Sequence, residues 1–118
     1  MTSSFPLNVG FGISDITPNG SLQLAGIENT RRGSAIMDPL KVRVLCVTKG
    51  TDSLVLVAVD TLYVSRGLCE VLEAWLERKY EIAGENLFIA ATHTHCAPLL
   101  LDTFCEGAGL DKAYFDHV

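Results

Sequence analysis

Leu54-Val55-Leu56-Val57-Ala58-Val59-Asp60 and Leu87-Phe88-Ile89-Ala90-Ala91-Thr92-His93-Thr94-His95 decide how this sequence folds. Each opens with a short apolar run, in the first case rich in β-branched residues and too short for a helix, so both read as buried strands. The first run is continuous from Leu54 to Val59, the pattern of a strand covered on both faces. Between the two lies a segment with a different period. Leu68, Val71, Leu72, Trp75 and Leu76 recur at helical spacing and form one apolar stripe, while Glu70, Glu73, Glu77 and Arg78 fall on the opposite face. Ser65 can cap the first turn by accepting a hydrogen bond from a free backbone amide, and the helix should run to about Tyr80, with Gly84 as its stop. Strand 54–59, helix 65–80 and strand 87–91 therefore predict a βαβ unit with parallel strands and a right-handed crossover.

Upstream, Lys41 to Thr48 places Val42, Val44 and Cys46 on one face and Lys41 and Arg43 on the other. A turn at Lys49-Gly50-Thr51-Asp52 joins it to strand 54–59 as an antiparallel hairpin. Leu7 to Ile13 reads as a further strand, with Gly10 and Gly12 suggesting a bulge or a close backbone approach. Thr17-Pro18-Asn19-Gly20 is a turn, and Ser21 to Asp38 is a long loop without a clean period, of the kind that often carries function. Downstream, Leu110 to Val118 looks like a helix that has only begun. The fold class is thus α/β: a layered mixed β-sheet with a β-hairpin and a βαβ unit, with residues 1–118 the N-terminal fragment of a larger domain.

Composition removes several classes of function. Apolar residues make up 48% and charged residues 19% of the 118 residues, which is globular and not disordered. Nine Lys and Arg face fourteen Asp and Glu, and the only basic pairs are Arg31-Arg32 and Arg78-Lys79, so a nucleic-acid footprint is missing. Cys46, Cys69, Cys96 and Cys105 match no CxxC pattern, and Cys46 and Cys69 stand in apolar contexts that suit small buried thiols. The first residues carry neither a basic nor an apolar signal region, and no apolar run is long enough to cross a bilayer. These features predict a cytoplasmic protein with reduced thiols and no transmembrane segment.

In a βαβ unit the carboxyl ends of both strands share one sheet edge, where ligands of open α/β sheets bind. Asp60 follows the first strand, and His93 and His95 follow the second. In an extended segment residues i and i+2 share a face, so His93 and His95 should aim at one site. Imidazole is the commonest zinc ligand, but a catalytic zinc needs three protein ligands and a water, so two histidines form an incomplete set. The competing reading makes them structural histidines of a non-catalytic α/β binding or scaffold module. Asp60 has three roles open to it: metal ligand, carboxylate orienting a histidine, or cap of the following helix. Cys96 is a weaker nucleophile candidate beside His95. Asp15 fits a turn former ahead of Thr17-Pro18, and Arg31 and Arg32 fit solvated side chains, with contact to an anionic or polar substrate group as the lesser alternative.

Four segments together resemble one enzyme family. Ile89-Ala90-Ala91-Thr92-His93-Thr94-His95-Cys96-Ala97-Pro98 is similar to the THTHxGP segment of neutral/alkaline non-lysosomal ceramidases. Val9-Gly10-Phe11-Gly12-Ile13-Ser14-Asp15-Ile16-Thr17-Pro18 resembles the opening strand of that family and its DITP. Asp38 to Val44 resembles the lead into its second strand, and Leu56 to Asp60 its strand ending in Asp. The resemblance implies a zinc-dependent amidase that cleaves the N-acyl bond of ceramide or a related lipid amide. It makes His93 the zinc ligand and His95 its companion, beside the substrate or in hydrogen-bond contact with the site; Asp60 stays a catalytic-site candidate from its place at the strand end. The remaining ligands would come from later segments, in the C-terminal part of the same polypeptide, so the fragment alone should be inactive. The family has Gly before the Pro, where this sequence has Ala97.

Overall fold

The computed structural model describes residues 5–26, 31–98, 100 and 112–118. Four strands form one sheet in the order β1 (Leu7–Asp15), β2 (Lys41–Lys49), β3 (Asp52–Val59), β4 (Leu87–Ala91). β1 and β2 are antiparallel, as are β2 and β3, whereas β3 and β4 are parallel and joined by α1 (Arg66–Tyr80). A short helix, α2, spans Lys112–His117. The mixed sheet, the hairpin and the βαβ unit agree with the sequence pattern. β1 runs two residues beyond Ile13, to Asp15, because Ser14 and Asp15 still pair with Val42 and Lys41.

Local chemistry explains the ends of these elements. The hairpin turns through Gly50 at φ 60°, a conformation that glycine adopts without steric cost. Ser65 caps α1, its hydroxyl accepting from the Leu68 amide at 3.1 Å. The helix does not wait for Gly84. Glu81 ends it in the left-handed region at φ 58°, its amide donating to the Glu77 carbonyl at 3.1 Å. Gly84 instead opens a 3-10 turn, Gly84–Asn86, packed beneath α1, where an added Cβ would stand 3.0 Å from Glu73 Cγ.

The register puts Val55, Val57 and Val59 on one face of the sheet with Val42, Val44, Cys46, Leu87 and Ile89. Leu68 and Leu76 of α1 pack on this face, together with Ile16, Leu100 and Tyr114, and burial pushes the Tyr114 phenol up to about 12. Val71 and Trp75, the outer members of the helical stripe, stay largely exposed. The other face of the sheet is open. Phe11, Leu45, Leu56 and Phe88 line up across all four strands on it, and Phe11 is 67% and Phe88 62% exposed. Strand β3 is therefore covered on one face only, since no described element lies over Leu54, Leu56 and Ala58. The expectation of a strand covered on both faces, drawn from its continuous apolar run, is therefore not met among the described residues, because an apolar run reports side-chain type and not the partner that packs on it.

Candidate active site

The carboxyl ends of β3 and β4 end side by side, with Val59 paired to Ala91 and the Thr92 amide donating to the Val59 carbonyl at 2.9 Å. The two chain segments that leave these strands carry Asp60, His93 and His95. Strand geometry stops at Ala91, and His93 sits at φ 62°. The expected alternation of a continuing strand therefore does not apply. A left-handed residue turns the chain, and this turn brings the His93 and His95 rings edge to face with centroids 5.1 Å apart. The two imidazoles do converge, by a different route.

His93 is held by the loop that follows β3. Its Nδ1 donates to the Leu62 carbonyl at 2.9 Å, because a carbonyl can only accept. That bond fixes the tautomer and leaves the Nε2 lone pair free for a metal, the usual outer contact of a metal-binding histidine. The Tyr63 ring meets His93 edge-on at 5.2 Å. This donor chemistry fits zinc at His93. Among the described residues no group of three His, Cys, Asp or Glu side chains is placed to hold a metal.

Asp60 faces the other flank of β3. Its Oδ2 accepts from the Lys41 amide at 2.9 Å and from Arg43 Nη1 at 3.1 Å, while its own amide donates to the Lys41 carbonyl at 2.9 Å. The carboxylate ties the end of β3 to the start of β2. Cys96 is exposed, and its amide donates to Thr94 Oγ1 at 3.2 Å, which tightens the turn after the histidines. Ala97 is fully buried and its carbonyl accepts from the Ala25 amide at 3.0 Å. Its φ is not positive, so this position does not require glycine.

Asp15 behaves as a turn former. It accepts from the Thr17 amide at 2.8 Å and from Lys41 Nζ at 2.7 Å, and these bonds hold its carboxyl well below the usual range. Arg32 is exposed on the Ser21 carbonyl, but Arg31 departs from the expected solvated state. It is half-buried, and its Nη2 donates to the His95 carbonyl. Gly26, at φ 103°, lies directly against the His95 ring. Neither Arg31 nor Gly26 is distinguishable as a site residue by local sequence pattern, because both act across some sixty-five positions of chain. A cleft of about 770 Å³ opens between the 17–40 loop and residues 94–98. Leu22, Leu24, Ile36 and Pro98 give it apolar walls, while Arg31, Arg32, Asp38 and Asp60 add charged groups to its lining.

The fold and the site define the class: an α/β chain that carries a histidine pair at the carboxyl edge of a βαβ unit, one imidazole of which is oriented by a backbone carbonyl. Solved structures agree on the fold. The chain is similar to neutral ceramidase from Pseudomonas aeruginosa, with a TM-score of 0.82 and 22% identity over 96% of this chain. A ceramidase complexed with C2 is similar with a TM-score of 0.81 and 22% identity, again over 96%. The chain spans about a fifth of each of these proteins, 20% and 19%. No family model matches the chain, and no curated protein matches it. Residues 1–118 thus share the fold of one part of a ceramidase. Among the described residues no helix is long and apolar enough to cross a membrane.

Proposed function

We propose that this chain is the N-terminal part of a zinc-dependent amidohydrolase of the neutral ceramidase type, acting on ceramide or a related lipid amide. The observation that carries the reading is His93, presented at the strand edge with Nδ1 fixed by the Leu62 carbonyl and Nε2 left for a metal. Bound there, zinc would supply polarisation of the amide carbonyl and a hydrolytic water of lowered pKa. His93 would hold the ion, and His95, its ring centroid 5.1 Å from that of His93, would stand beside the substrate. Asp60 supports the site by locking the strand end from which the loop to Leu62 departs. The cleft beside Thr94 has room for part of a substrate, with apolar side chains in its lining and Arg31, Arg32, Asp38 and Asp60 among its polar residues.

Two whole-chain quantities and one feature of the sheet support a part and not a finished domain. The accessible surface is 7980 Å², against about 6300 Å² for a folded monomer of this mass. The radius of gyration is 16.7 Å, against about 13.5 Å for a compact domain of this length. The sheet also has an uncovered apolar face. The remaining metal ligands then come from the C-terminal part of the polypeptide, and the 118 residues alone should show no amidase activity. In the full-length protein, His93→Ala should abolish chelator-sensitive hydrolysis of an N-acyl sphingoid substrate and lower zinc content below one equivalent. Undiminished hydrolysis in that variant would refute the ligand assignment.

A further inference from the structure

We propose that Gly26 and Arg31 are positioning residues that set the His95 imidazole against His93, so that residues 22–26 and 31–33, ahead of β2, are part of the catalytic centre. These residues lie on the histidine segment as a strap. Leu24 bridges Pro98, and the Ala25 amide donates to the Ala97 carbonyl at 3.0 Å. The strap is itself braced, since the Leu24 amide donates to the Arg31 carbonyl at 2.8 Å and the Gly33 amide to the Leu22 carbonyl at 3.0 Å. From this platform two contacts reach His95. The Arg31 guanidinium grips the His95 carbonyl, which fixes the backbone that carries the ring. Gly26 then supplies a flat wall behind the ring, where an added Cβ would stand 2.5 Å from Nδ1 and 3.0 Å from Cε1 and Cγ.

The ring thus has the Gly26 backbone at its Nδ1 side and the His93 ring 5.1 Å away. No side chain fits at position 26 without moving the imidazole, and the φ of 103° is itself one that other residues rarely adopt. Arg31 Nε is buried with no hydrogen-bond partner among the described residues, while Nη2 of the same guanidinium donates to the His95 carbonyl. An unpaired buried donor is retained where its surroundings require that geometry. A displacement of about 1 Å in a positioned catalytic group can cost about 100-fold in rate.

The kinetic consequence rests on the amidohydrolase reading, whereas the placement of the ring stands without it, and the test separates the two. Gly26→Ala, Arg31→Ala and Arg31→Lys are made in the full-length protein and compared for zinc content, melting temperature, His95 ring position by crystallography, kcat and KM. Gly26→Ala should stay folded with one equivalent of zinc at a somewhat lowered melting temperature, shift the His95 ring by about 1 Å, and lower kcat about 100-fold with KM little changed. Arg31→Ala should act in the same direction and Arg31→Lys should recover part of the loss. In a His95→Ala background Gly26→Ala should cost nothing further, since it acts through the missing ring. An unmoved ring, or the same loss with and without His95, would overturn the proposal. If the parent protein hydrolyses no amide, the functional reading fails, and the ring position alone decides the role of Gly26 and Arg31.

Discussion

His93 stands in a backbone region that few residues other than glycine occupy, at a cost of roughly 1–3 kcal/mol. Histidine is among the side chains found there more often than most, and here the strain turns the ring toward Leu62 and His95. Asp60 shows the opposite case, a side chain fully satisfied by its surroundings. Its carboxylate is mostly buried against Arg43 and the Lys41 amide. Asp60→Asn removes the charge from this junction, and urea unfolding of the full-length protein should show a loss of about 2 kcal/mol. A loss within error would show that the junction contributes nothing to holding the strand end.

Among the elements, α1 is the best specified. Its cap, its apolar stripe and its length follow from residues within one or two turns of each other, and the structure returns them with small changes. Ser65→Ala removes the acceptor for the Leu68 amide and should lower stability by about 1 kcal/mol, seen as a lower midpoint in denaturant with an unchanged slope. The helix end was less legible. Gly84 looked like the stop, yet Glu81 takes the left-handed cap and Gly84 serves the packing under Glu73. The strands were read correctly from their apolar runs, but pattern alone could not say that β3 has one described face uncovered.

For the whole molecule, the open face of the sheet is the dominant feature. Phe11, Leu45, Leu56 and Phe88 form an apolar row across four strands, with further exposed apolar side chains at Val9, Ile13 and Leu54. Contiguous exposed surface of this kind marks an interface or an aggregation liability. The isolated 118 residues should therefore bind a hydrophobic dye and self-associate in sedimentation. Replacing Phe11 and Phe88 by Lys should suppress both effects in the isolated chain. The same double change should destabilise the full-length protein by several kcal/mol if the rest of the polypeptide covers that face. A full-length protein indifferent to it would argue that the face is solvated.

The sequence by itself determined the βαβ unit, the hairpin, and the sheet edge on which Asp60, His93 and His95 gather. Hydrophobic period, capping and turn chemistry are local, and they need no knowledge of what lies across the molecule. Only the tertiary structure decided which groups touch the histidines. The Leu62 carbonyl has no side-chain signature, and Gly26 and Arg31 meet His95 through contacts that span most of the chain. The convergence of His93 and His95 was expected from strand alternation, yet it is produced by a left-handed turn. Backbone reversals and long-range packing set the orientation of each imidazole, because side-chain direction depends on φ, ψ and neighbours that residue spacing does not encode.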